Sequence, residues 1–150
     1  MTRLECPLEI RTAIAEDHER ILELWEACGL TRPWNDPRGD LARKLAHDPE
    51  LLLVGTAPDD AATGNQVVAI VMAGYEGHRG WLNYLAVDPV HNGRGFDRAI
   101  VAEGERRLGA LGCPKINLQV RAANAPVIAF YEALGFAVEE RISMGKLLND

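Results

Sequence analysis

Residues 85–98 combine the features of an anion site. An apolar run ending in Leu85, Ala86 and Val87 is stopped by Asp88 and Pro89. A loop of Asn92, Gly93, Arg94 and Gly95 then enters a helical pattern that starts with Phe96, Asp97 and Arg98. Such a turn offers unpaired main-chain amides and the positive end of a helix to a phosphate or carboxylate. A glycine turn that merely enters a helix accounts for the same residues, so both readings stand at this point. Known nucleotide loops are excluded: the dinucleotide fingerprint needs glycine where Arg98 stands, and no Gly-Lys-Ser/Thr ending is present. His18, His47, His78 and His91 contain no HxxxH pair, and Cys6, Cys28 and Cys113 contain no CxxC. Metal chemistry and a disulfide framework therefore lack support, and the cysteines read as reduced thiols.

The elements that position this loop follow from periodicity and turn residues. Residues 8–12 predict a strand. Ile21, Leu24, Trp25 and Cys28 recur at helical spacing behind Glu16 and Asp17, up to Gly29. Asp36 and Pro37 suit the cap and first turn of a second helix carrying Leu41 and Leu45, with Trp34 in the connecting loop. Residues 51–56 and 66–75 flank a turn-rich stretch and read as a hairpin; residues 81–87 follow the turn at 77–80. Phe96, Ile100, Leu108 and Leu111 mark one face of a long helix that Gly112 closes. A strand over 115–120, a helix over 125–134 closed by Gly135, and a last strand over 137–146 complete the order βααβββαβαβ. That order predicts an α/β (α+β) fold: a mixed, mostly antiparallel central sheet flanked by helices.

With 150 residues, 47% hydrophobic and 25% charged, the chain fits a single domain (1–150) with its own core. A formal net charge of -6 argues against a protein that wraps nucleic acid. The longest apolar run, about residues 67–73, is far short of the roughly 18 residues a membrane span needs. Glu5 and Glu9 interrupt any signal-like start, so a soluble, cytoplasmic protein with no membrane partner is expected.

Residues 124–136, NAPVIAFYEALGF, resemble the acetyl-CoA-binding end of the Gcn5-related N-acetyltransferase (GNAT) family, in which an asparagine precedes a helix containing FYExxGF. LW at Leu24 and Trp25, RPWNDP at 32–37, GYEGHRG at 74–80 and GCPKI at 112–116 are, in the same order, similar to the YpeA subgroup of bacterial acetyltransferases. The family's loop pattern, Gln or Arg, two residues, Gly, one residue, Gly or Ala, falls here on Asn92, Gly95 and Asp97, so two of its three positions differ. Asp97 suits the helix dipole but repels a diphosphate; at about 4 Å and an effective dielectric of 20, two unit charges interact by about 4 kcal/mol. Arg94 and Arg98 oppose that repulsion.

The resemblance implies an acetyl-CoA-dependent N-acetyltransferase acting on a primary amine of a small molecule, an amino acid or a peptide N-terminus, as a monomer or homodimer and without metal. It places the coenzyme on Leu85, Ala86, Val87, Asn92, Gly93, Arg94, Gly95, Phe96, Asp97 and Arg98, and on Asn124 and Tyr131. The last two are seven residues apart, so they share a helix face about 10 Å apart. By resemblance Asn124 bonds near the pantetheine arm, Tyr131 protonates the leaving sulfur, and the amide near Leu85 polarises the thioester carbonyl. Read locally, Asn124 is a helix cap and Tyr131 a core aromatic beside Phe130 and Phe136.

An amine that arrives protonated needs a proton acceptor. Glu76 is the preferred one, since it also attracts a cation, with His78 next; a polar turn built on Gly77 and Gly80 explains the same motif. Trp34, Asp36, Glu76 and Arg79 are the expected acceptor-binding residues, Arg79 suiting a substrate carboxylate. Two other classes fit less of the sequence: a non-catalytic acyl-CoA-binding module of the same fold, and an interaction protein using a helical face around Trp25 and Trp34.

Overall fold

The computed structural model describes residues 8–58 and 64–148. The chain divides after Leu118 into two compact units. The first contains strands β1 (Glu9–Thr12), β2 (Leu52–Pro58), β3 (Asn65–Tyr75), β4 (Gly80–Val87) and β5 (Ile116–Asn117), with helices α1 (His18–Ala27), α2 (Pro37–His47) and α3 (Phe96–Ala110). The strands lie in sequence order, antiparallel from β1 to β4 and parallel between β4 and β5. The mixed, mostly antiparallel sheet with helices agrees with the fold class expected from the sequence.

The core explains the run-like sequences of the middle strands. Leu52, Leu53, Val54 and Val68, Ala69, Ile70, Val71 are buried on both faces of the sheet, so neither strand alternates cleanly. On one face Ile21, Leu24 and Trp25 of α1 and Leu41 of α2 join Leu52, Val54, Ile70 and Ala86 in a single apolar cluster. On the other, α3 turns Phe96, Ile100, Gly104 and Leu108 inward at a spacing of four. A Cβ at Gly104 would lie 3.4 Å from Leu82 Cδ2 and 3.9 Å from Val71 Cγ1, which puts those two side chains on the α3 face. Each fully buried aliphatic side chain here stabilises the fold by about 1.5–3 kcal/mol relative to exposure.

β4 does not keep one register. Asn83 pairs with Met72 and Ala86 with Ile70, so Tyr84 and Leu85 together face Val71. That extra residue is a β-bulge. Leu82 lies toward α3, whereas Tyr84 and Ala86 belong to the α1 and α2 cluster; an unbroken strand would hold all three on one face. The bulge therefore turns the end of β4 over, and Tyr84 takes it up with a φ of 55°.

In the second unit, α4 (Ala125–Ala133) follows the cap residue Asn124. Its end shows what the residues of YEALGF do in this chain. Gly135 N donates to Glu132 O and Phe136 N to Tyr131 O, both at 3.0 Å, and the Phe136 ring meets the Tyr131 ring edge-on at 5.5 Å. This is a Schellman closure with its apolar contact.

Three expectations need correction. The strand over 137–146 is not formed: a strand exists only against a ladder partner, and the described residues of this unit supply none. Glu139, Glu140 and Arg141 also break its alternation, and Val138, Ile142 and Met144 are exposed. The strand over 115–120 is confined to β5, because only Gly80 and Trp81 pair with it. Leu111 is exposed rather than part of the core, since it caps α3 beyond its last turn.

Candidate active site

The loop after β4 is fixed at its entry and open at its exit. Asp88 Oδ1 accepts from Val90 N at 3.0 Å and Oδ2 from Arg20 Nη2 at 2.6 Å, while Arg20 Nε donates to Val67 O at 2.9 Å. The Cys28 thiol donates to Val87 O at 3.2 Å, and burial pushes its pKa up, so it stays a neutral thiol. His91 is buried against the Phe96 ring, with centroids 5.8 Å apart, and its Nδ1 lies 3.2 Å from Arg94 Nη1. Beyond it Asn92, Gly93, Arg94 and Gly95 are exposed. Gly93 and Gly95 have φ of 83° and 79°, and a Cβ at either would meet nothing within 4 Å. Gly95 is the cap residue of α3 and has no side chain to close the helix end. The amides of the first turn therefore face outward by helix geometry. Asp97 Oδ1 takes one of them, Arg98 N, at 2.7 Å.

The hairpin tip lies at the opposite end of β4. Glu76, His78 and Arg79 precede Gly80, roughly 23 Å of strand from Val87 and roughly 13 Å from Tyr84 at about 3.3 Å per residue. Glu76 does not extend the alternation of β3; it lies past the strand end and closes the turn. Its Oε1 accepts from Arg79 N at 3.0 Å and from His78 N, and these bonds hold its carboxyl below the usual glutamate range. Arg79 Nη1 donates to His78 O at 2.9 Å and lies 3.5 Å from His78 Nδ1.

Trp34 is 71% exposed in the α1–α2 loop. Asp36 caps α2, accepting from Gly39 N at 3.1 Å. A Cβ at Gly39 would come 2.4 Å from Asp36 Oδ2, so a larger residue there would push the capping carboxylate aside. Trp25, by contrast, is fully buried and offers no face to a partner. In the second unit Asn124 Oδ1 accepts from Val127 N at 3.4 Å as the α4 cap, and Tyr131 is buried between Phe130 and Phe136. The structure thus brings the residues of 92–98 together, gathers Glu76, His78 and Arg79 at the hairpin tip, and puts Asn124 and Tyr131 two turns apart on one helix.

Residues 15–136 match the model of the Acetyltransferase (GNAT) family. The chain belongs to that family. It is 47% identical over 141 residues to an acetyltransferase of Yersinia pestis (strain Pestoides F), covering 94% of this chain and 96% of that one. An acetyltransferase of Sodalis glossinidius (strain morsitans) is 46% identical over 142 residues, with 94% and 96% covered. Among solved structures, the fold is similar to the aminoglycoside N-acetyltransferase AAC(6')-Iy in complex with CoA, at a TM-score of 0.71 and 18% identity over 99% of this chain and 100% of that one. It is also similar to Ard1 from Thermoplasma volcanium, at a TM-score of 0.75 and 20% identity, with 88% and 84% covered. This GNAT protein is an acetyltransferase.

The enzyme also contains a polar cluster that residue spacing did not single out. Tyr84 stacks on Trp25 with centroids 3.9 Å apart and 18° between planes, and its hydroxyl donates to Asp40 Oδ2 at 2.6 Å. Burial first, and the Asp40 carboxylate second, push the phenol well above its ordinary pKa, so it remains a donor. One turn along α2, the buried Lys44 donates to Ala73 O and pairs with Asp48 Oδ1 at 2.8 Å. The available signal was the i, i+4 polar row Asp40, Lys44, Asp48 beside the apolar Leu41 and Leu45. Among the described residues no group of His, Cys, Asp or Glu is arranged to hold a metal, and no helix is long and apolar enough to cross a membrane.

Proposed function

We propose that the enzyme transfers the acetyl group of acetyl-CoA to a primary amine of a small molecule, an amino acid or a peptide N-terminus. The observation that carries this reading is the sequence of bulge, anchored loop and open helix end in 84–98 of a GNAT chain. A diphosphate fits that loop: two residues at positive φ aim amides outward, the space beside them is empty, and Arg94 and Arg98 supply positive charge. Leu85, Ala86 and Val87 continue the binding surface, with Asn92, Phe96 and Asp97 bordering it. The family match runs across Leu118, which supports reading both units as one catalytic domain.

When bound, the thioester supplies an activated acyl group. The neutral amine forms the new N–C bond as the C–S bond breaks, without a covalent enzyme intermediate. A β4 amide, that of Leu85, polarises the carbonyl. Tyr131 gives its proton to the departing sulfur and is restored by the proton that the acylated nitrogen sheds, and Asn124 bonds the pantetheine arm. The ammonium proton leaves through water to Glu76 or His78. Held in its charged form by turn amides, Glu76 attracts the cation. Trp34, Asp36 and Arg79 bind the acceptor.

Release of free CoA thiol, measured with acetyl-CoA and a panel of amines, amino acids and peptides, tests the reading. Acceptor-dependent thiol release, lost at least tenfold in Tyr131→Phe, supports it. Acetyl-CoA binding by calorimetry without turnover on any amine selects the non-catalytic module instead, and the absence of binding at millimolar coenzyme removes the reading.

A further inference from the structure

We propose that Tyr84, gripped by Trp25 and Asp40, is a positioning residue that holds the β4 bulge in its catalytic shape. The proposal rests on the reading above, that a bulge amide takes the thioester oxygen, and adds how the bulge is held.

Tyr84 is the non-glycine residue at positive φ among those described, and a bulky aromatic side chain rarely adopts a φ of 55° unaided. Something outside the strand must hold it there. The grip comes from two helices. Trp25 of α1 is wholly buried and lies flat on the phenol ring, and its Nε1 finds no acceptor among the described residues. That indole therefore serves through its ring face. Asp40 of α2 receives the hydroxyl at 2.6 Å, and Arg43 Nη2 bonds the other oxygen, Oδ1, at 2.5 Å, which fixes the carboxylate from behind. Ring face and hydroxyl are thus fixed from different elements, which leaves the side chain one position.

The backbone consequence follows from register. Tyr84 and Leu85 share a single opposite residue, so regular pairing could be regained only by slipping everything after Asn83 by one place. A slip would turn Tyr84 out of the α1 and α2 cluster, redirect the Leu85 amide and shift the entry to the loop at Asp88. Fastening Tyr84 to Trp25 and Asp40 opposes that slip. A donor aimed at developing charge loses much of its effect when displaced by even a fraction of an ångström.

The test compares the wild-type enzyme with Tyr84→Phe, Asp40→Leu, Asp40→Asn and the Tyr84→Phe/Asp40→Leu double variant, by thiol release at saturating acceptor per mole of folded protein. Tyr84→Phe and Asp40→Leu are each expected to lower kcat about tenfold with KM for acetyl-CoA within twofold. The double variant should fall no further than either single one, since both remove one bond. Asp40→Asn keeps an oxygen acceptor and should recover at least a third of wild-type kcat. Wild-type kcat in both Tyr84→Phe and Asp40→Leu would overturn the proposal even if melting temperature drops, as would a multiplicative loss in the double variant. If Asp40→Leu does not fold, Tyr84→Phe against Asp40→Asn decides alone. A wild-type enzyme that releases no thiol removes the underlying reading; normal wild-type turnover with indifferent variants removes only this proposal.

Discussion

Replacing Gly95 by alanine separates a loop that cradles a diphosphate from one that only starts a helix. Gly95 has φ 79° and Gly112, at the far end of α3, has φ 89°; a Cβ at either would touch nothing within 4 Å. The two substitutions therefore carry the same backbone penalty and no steric one. Alanine at positive φ costs about 1–2 kcal/mol. Restricting the unfolded chain returns about 0.4–1 kcal/mol. Each variant should lose about 1 kcal/mol net, a melting shift of about 2–4 °C for a chain of this size. Only at Gly95 does the new methyl, or the backbone shift that relieves it, meet the coenzyme. KM for acetyl-CoA should rise roughly tenfold there, equivalent to about 1.4 kcal/mol, and stay within twofold in Gly112→Ala. Thermal denaturation and steady-state thiol release at varied acetyl-CoA measure both quantities. Equal KM in all three proteins, or an equal rise in both variants, refutes the argument that these amides hold the diphosphate.

Removing the carboxylate of Asp97 should act in the opposite direction. Asp97→Ala frees Arg98 N and takes a negative charge away from the loop, so KM for acetyl-CoA should fall several-fold while the helix loses about 0.3–1 kcal/mol of dipole stabilisation; a higher KM would show that the carboxylate assists binding. The Glu103 carboxyl is held down to about 2 by Arg106 and Arg107, below its ordinary 4.5. Because the folded value is the lower one, its stabilisation is complete above about pH 4.5 and is lost as pH falls toward 2. With solvent screening, each ion pair contributes about 0.2–1 kcal/mol, so Glu103→Gln should melt a few degrees below wild type at pH 7 and at the same temperature near pH 2, read by circular dichroism. A gap that persists unchanged at pH 2 contradicts that cause.

Much of the framework was legible because its signals are local. Asp88, Pro89 and the two glycines mark the loop within the segment that forms it, and Gly135 with Phe136 marks the closure of α4 the same way. The bulge was not legible: Leu82, Tyr84 and Ala86 keep a period of two, and the change of face between them is imposed by α1 and α2. Asp40 lies 44 residues from the hydroxyl it accepts, and no spacing rule joins them. For Glu76 a proton acceptor and a polar turn explained the same motif, and the two turn amides that claim its carboxylate come together only in the folded hairpin. The last strand was expected from its apolar residues alone, and such residues do not specify a partner strand.

The buried Lys44 makes α2 a keyed part rather than a greased one. A helix resting only on leucines can slide by a turn at little expense, whereas moving this one would carry the buried ammonium and its Asp48 partner away from Ala73 O and leave a buried hydrogen bond unmade. Its seat is thus independent of the connection leading to it. On the proposed reading, in which Trp34 lines an amine acceptor site, residues 29–35 are the stretch to lengthen or exchange when redesigning acceptor choice, since the helix below keeps its place.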